Sequence, residues 1–138
     1  MGRMLVAIDG SEHSQRAVRY AARRAQETGC TIDLLHVERS VMAWEVGPVS
    51  SSEAVEDLRE ARSTKVLDEG AGGFGESTKV EKHAVTGDPA QVILEQADKL
   101  CVDEIVIGSH GLRPWGAVLG SVAYKVLHEA HVAVVVVR

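Results

Sequence analysis

The chain has 138 residues, of which 45% are hydrophobic and 25% charged, and carries a formal net charge of −5. That length fits one domain, residues 1–138, burying roughly 68–70% of its unfolded surface, so that no disulfide or metal is needed to hold it. The mildly acidic balance and the 4% aromatic content exclude the basic footprint of a nucleic-acid binder and a base-stacking platform.

Apolar β-branched runs alternate with helical patterns along the chain. The N-terminal stretch "MGRMLVAIDG" has an apolar run too short, and an acid too early, for a signal peptide. No segment approaches the length of a membrane span, so the expected compartment is the cytoplasm. The first predicted strand is Met4–Ile8. Over Gly10–Thr28 the residues Ala17, Val18, Ala21, Ala22 and Ala25 make one helical stripe. Ser11 is placed to cap that helix and Gly29 to stop it. A second strand spans Thr31–Val37. The longest loop follows, "SVMAWEVGPVSSS" (Ser40–Ser52), with Trp44 as either a lid or an interface residue. Ser52 is a candidate cap for a polar helix from Glu53 to about Glu69.

"GAGGFGES" (Gly70–Ser77) reads as a flexible connector, and "TKVEKHAV" as a third strand whose mixed polarity suits a sheet edge. Asp88-Pro89-x-Gln91 resembles a capping box with proline at the first helical position. It opens a helix that buries Val92, Ile93, Ala97 and Leu100. The fourth strand is "DEIVIG", and a glycine-rich loop then leads to a helix with the stripe Leu119, Val122, Ala123, Val126, Leu127 and Ala130. The last strand, Val132–Val137, is "VAVVVV". Strand–helix alternation implies parallel strands, right-handed crossovers and helices on both faces. Strands one, four and five are nearly all apolar, as in a sheet covered on both sides.

In such a sheet, ligands bind beyond the carboxyl ends of the strands, where the strand order reverses. The residues there are Asp9-Gly10-Ser11, Val37-Glu38, Gly87-Asp88 and Gly108-Ser109-His110-Gly111. Gly108 and Gly111 are free to adopt positive φ and admit a ligand close to the main chain. Gly120 and Ser121 offer backbone N–H groups and a hydroxyl at the start of the fourth helix, which is a place for an anion. Asp9 suits ribose hydroxyls, and Arg113, the cation of the loop, suits a phosphate. Against this stands a loop whose glycines merely turn the chain. His110 is either a phosphate donor or a solvated histidine. No G-x-x-x-x-G-K-[ST] is present, and "DGSEHS" is not a G-x-G-x-x-G. A receiver domain would need clustered carboxylates after strand one and a lysine after strand five, where only Asp9 and Arg138 stand.

The chain resembles the universal stress protein family over essentially its full length. The resemblance lies in "MLVAIDGSEHSQRAVRYA", "IDLLHV", "VTGDPAQVILEQA" and "DEIVIGSHG…LGSVAYKVLHEAHVAVVVV". Nucleotide-binding members carry G-x-x-G, nine spacer residues and G-[ST]. Gly108–Gly111 and Gly120-Ser121 match both ends, with "LRPWGAVL" as a spacer one residue shorter. The resemblance implies an open five-stranded parallel sheet, order 3-2-1-4-5, of the Rossmann-like type. It implies that Ala7 and Ile8 line an adenine pocket, that Asp9 contacts ribose, and that Val37 backbone groups recognise adenine. Gly108, Gly111, Gly120, Ser121 and Val122 would surround the ribose and phosphates of ATP, AMP or a cyclic nucleotide, with magnesium as a companion ion. It also implies a homodimer through the last strand, and the sequence supports that separately. An uncharged valine edge invites aggregation unless another copy covers it.

Two cysteines, Cys30 and Cys101, precede strands and read as small packed apolar residues. The six histidines lack ligand spacing, so no metal site is expected. No Ser–His–acid set follows from spacing. Three functions compete: a nucleotide-loaded stress regulator with an unknown protein partner, a nucleotide-free interaction protein, which the short spacer motivates, and a slow ATP hydrolase. The last has Asp9 as a metal-side carboxylate but no evident base, and no catalytic residue is assigned.

Overall fold

The structure, a computed structural model, describes residues 2–39, 52–109 and 120–138. Trp44, and Gly111 and Arg113 together with His110, Pro114, Trp115 and Leu119, lie outside the described residues. The elements follow in the order β1 (Arg3–Ile8), α1 (Glu12–Thr28), β2 (Thr31–Glu38), α2 (Ser52–Ala71), β3 (Val80–Thr86), α3 (Pro89–Lys99), β4 (Glu104–Gly108), α4 (Ser121–Glu129) and β5 (Ala133–Val137). All strand pairs are parallel, and the five strands lie in the order β3-β2-β1-β4-β5. This is the expected α/β architecture and strand order.

Alternation along the strands divides the core into two layers. Met4, Val6, Ile8, Ile32, Leu34 and Val106 pack on one face with Ala17, Val18, Ala21 and Ala25 of α1 and Leu67 of α2. Leu5, Leu35, Ile105 and Ile107 pack on the other with Ile93 and Ala97 of α3 and Ala123 and Val126 of α4. Burial of both faces is why β1 and β4 read as nearly continuous apolar runs. β3 carries a polar pattern because it is an edge, as its sequence implies.

The helix signals act as their chemistry requires. Ser11 Oγ accepts from the Ser14 N–H at 3.3 Å and caps α1. Gly29 sits in the left-handed region at φ 71° and closes that helix, its N–H donating to Ala25 O. Asp88 Oδ2 accepts from the Gln91 N–H at 3.1 Å. Only that half of the capping box forms, because the Gln91 amide turns to Glu95 instead.

Four expectations need correction. Gly70 and Ala71 belong to α2 rather than to a connector. A Cβ on Gly70 would stand 2.5 Å from Ile8 Cδ1, so this glycine lets the helix press against the sheet. Leu127 is 48% exposed, since the nine residues of α4 bury only Ala123 and Val126 fully. Cys101 is exposed at φ 53°, in the turn after α3. The strands β3, β4 and β5 begin one or two residues later than their apolar patterns suggested. Asp103, for example, instead closes the turn before β4, its N–H donating to Arg3 O and its carboxylate accepting from the Arg3 N–H.

Candidate functional site

A cavity of about 380 Å³ opens at the carboxyl ends of β1, β2 and β4. It lies where β1 and β4 adjoin and the crossovers diverge, the switch point at which open parallel sheets hold ligands. Its floor is apolar: Ala7, Leu35, Val37 and Ile107 from the strands, with Ile93 of α3 and Ala123 of α4. Ile8, Asp9, Gly108 and Val122 complete the wall beside Ser11, His13 and Ser14 of the first helical turn.

The residues singled out in the sequence thus divide into four groups. Ala7, Ile8, Asp9, Val37, Gly108 and Val122 line this one cavity. Ser121, again with Val122, lines a recess of about 540 Å³ beside it. Gly120 is the N-cap of α4 and has no side chain to satisfy the helix N–H groups, which leaves those donors available at the mouth. Gly111 and Arg113 lie outside the described residues. Sequence reading missed Leu35, Arg39 and Ile93. Leu35 stands two residues before Val37, on the same side of the strand by simple alternation, and Arg39 follows the end of that strand. Ile93 was assigned to the core, and it lines the cavity from there.

Gly108 does not serve by positive φ, which among the described glycines belongs to Gly10, Gly29 and Gly87. A Cβ on Gly108 would come within 2.8 Å of the His13 carbonyl oxygen. The glycine is needed because the N-terminus of α1 lies directly against the end of β4. Asp9 is held firmly at the rim. Its Oδ1 accepts from the Ser11 N–H at 2.9 Å and lies 3.0 Å from Ser14 Oγ, while its own N–H donates to Ser14 Oγ at 3.2 Å. Asp9 is the one carboxylate lining the cavity among the described residues.

Two further polar clusters lie away from this cavity. Asp33, fully buried in β2, accepts from Arg3 Nε at 3.0 Å and Arg3 Nη2 at 2.7 Å. His83 Nε2 lies 2.8 Å from Asp33 Oδ1, and Arg3 also donates to Glu81 at 2.8 Å. Hydrogen bonds to the two carboxylates raise the Arg3 pKa, and the bond from Arg3 lowers that of Glu81. Asp33, Glu81 and His83 are close enough to share a cation, but the Arg3 guanidinium already bridges both carboxylates. On the other face, His36 is buried with Nδ1 2.9 Å from Ser63 Oγ, and burial lowers its pKa against the opposing pull of Glu38 and Asp9.

The sequence matches the Universal stress protein family over residues 1–138, and the chain belongs to that family. Universal stress protein A homolog 1 of Coxiella burnetii is 34% identical over 134 residues, covering 92% of this chain and 89% of that protein. The structure of the universal stress protein from Archaeoglobus fulgidus in complex with dAMP superposes with a TM-score of 0.74 at 22% identity, over 100% of this chain and 98% of that one. A universal stress protein in complex with cAMP gives a TM-score of 0.70 at 24% identity, over 99% of this chain and 96% of that one. At these identities the two structures share the fold of this chain. Among the described residues, no helix is long and apolar enough to cross a membrane.

Proposed function

We propose that this universal stress protein is a small cytoplasmic regulator that binds an adenine nucleotide, ATP above all, in the cavity at the carboxyl ends of β1, β2 and β4. The observation that carries the reading is the pairing of an apolar slot with polar groups at its rim. Pockets of this size, apolar with a few placed polar groups, are the usual form of a small-molecule site (roughly 300–1,000 Å³). Ala7, Leu35, Val37 and Ile107 offer a flat apolar bed for a base. Asp9 is fixed at the rim as an acceptor for ribose hydroxyls. The uncapped start of α4 faces the recess into which phosphates would extend. Two proteins with this fold are known with dAMP and with cAMP, which supports an adenine ligand here.

Asp9, the one lining carboxylate among the described residues, suits a magnesium ion that is held chiefly by phosphates and water and only lightly by the protein. Equilibrium titration with ATP, with and without magnesium, tests the reading. Saturable binding at sub-millimolar ATP is expected. No binding at millimolar nucleotide removes the reading and leaves the nucleotide-free interaction protein in its place.

The same proposal includes a homodimer through β5. That strand is hydrogen-bonded to β4 alone, and Val134 to Val137 are only half-buried. An uncharged edge of this kind is closed by a second copy around a two-fold axis, with exposed Tyr124 and Leu127 of α4 as additional apolar surface. Sedimentation equilibrium should give twice the chain mass, and a monomer at all concentrations would rule the dimer out.

A further inference from the structure

The recess beside the nucleotide cavity has its own chemistry. Arg39, which follows β2, and Lys125, on the first turns of α4, both line it, together with Ser121. Both cations are exposed, and neither has a carboxylate partner among the described residues. That sets them apart from Arg3, Arg24, Arg59 and Lys82, whose ends are within 3.0 Å of acids. The acid that shares the recess, Asp88, is turned toward the backbone, its Oδ2 accepting from the Gln91 N–H. Arg39, Pro89 and Val122 line both the recess and the cavity, so the two spaces are continuous.

In a chain of net charge −5, two cations that line one recess with no acidic partner among the described residues are not explained by the bulk composition. They come from separate segments, the residue that follows β2 and the helix α4, and both line the same recess. Ser121 adds a hydroxyl at the first residue of a helix whose N-cap supplies no side chain. Arg offers a fixed fork for phosphate oxygens and Lys a mobile point charge. Among the described residues that line the apolar cavity, Arg39 is the one Lys or Arg, and it lines the recess as well.

We propose that Arg39 and Lys125 form a subsite for the outer phosphates of a nucleoside polyphosphate, and so set the preference of the site for triphosphate over monophosphate. The inference rests on the nucleotide reading above and adds the two side chains that would favour a triphosphate over a monophosphate. A monophosphate would be held by the slot, Asp9 and the start of α4, and would leave Arg39 and Lys125 to water. A triphosphate would span both spaces and gain two charge-assisted contacts.

The test is titration of the wild type, R39A/K125A and R39K/K125R with ATP and with AMP, at low and high salt. The double alanine variant should weaken ATP by about tenfold or more at low salt while leaving AMP within about threefold. Its effect on ATP should shrink as salt rises, because exposed charges are screened within about 10 Å at 0.1 M. R39K/K125R should retain most of the ATP preference. Equal weakening of ATP and AMP, or no change in either, would overturn the subsite while leaving the nucleotide reading intact. Failure of the wild type to bind either nucleotide would overturn both together. Both residues are exposed, so the variants should fold, and an unchanged circular dichroism melt checks that they do.

Discussion

Two halves of one sheet face use polar residues in opposite ways. Toward the amino ends of the strands, Arg3, Asp33, Glu81 and His83 are bonded to one another, and the charge of Asp33 is buried only because Arg3 grips both of its oxygens. At the carboxyl ends the strands present Ala7, Val37 and Ile107 to an open cavity, and the polar groups stand around the rim. A closed set of pairs has no capacity left for a ligand, and it stiffens the fold. An apolar bed with donors and acceptors at its margin is unfinished until something enters. A cluster of titratable groups is therefore a poor guide to function in this chain, and the satisfaction of those groups is the better guide.

That contrast can be broken most severely at Asp33. Asp33→Ala removes one side of a buried ion pair and should cost about 3 kcal/mol, the low end of the usual range because Arg3 retains some access to solvent. Urea denaturation measures that loss, and ATP affinity should stay within about twofold of wild type. Loss of binding without loss of stability would show that the two ends are not separate. Next comes Gly108→Ala, whose new methyl would meet the His13 backbone and should cost about 2 kcal/mol. Here stability and ATP affinity should fall together, since the cavity wall itself must move. Asp9→Ala should weaken ATP by about tenfold, or about 1.4 kcal/mol, with a smaller change in melting temperature.

The smallest expected effect is a pH dependence outside both regions. Burial holds the His36 pKa below its ordinary value. The unfolded chain therefore takes up this proton first as pH falls, so the contribution of neutral His36 is full above about pH 6.5 and is lost as pH drops toward the lowered folded value. The midpoint of urea unfolding should fall between pH 7.5 and 5.5, and His36→Gln should fall less. An identical fall in both proteins would show that His36 does not contribute.

Much of this fold was legible because the local signals agree with one another. Ser11, Gly29 and Asp88 mark helix ends by side-chain chemistry that needs no tertiary context. The runs at β1, β2 and β4 are long enough to be strands buried on both faces. Gly70 misled because a glycine that permits close packing looks the same in sequence as one that turns a chain. Gly108 lines the cavity, but the need for glycine there was not legible, since its nearest neighbour, His13, lies on a different element far back in the sequence. The charge cluster was invisible for the same cause: Arg3, Asp33 and Glu81 share no spacing until the register of β1, β2 and β3 sets them side by side. Of the cavity, Asp9 and Val37 followed from strand ends and Ala7 and Ile8 from the family resemblance, whereas Arg39 and Lys125 meet at one recess only through the tertiary fold.

The most direct test is a ¹H–¹⁵N correlation spectrum of the protein titrated with ATP. Shifts should concentrate at Ala7, Val37, Gly108 and Val122, with the amides of Asp33, Glu81 and His83 unmoved. Shifts centred on the Arg3–Asp33 cluster, or spread without focus over the surface, would contradict a nucleotide site at the carboxyl ends of the strands.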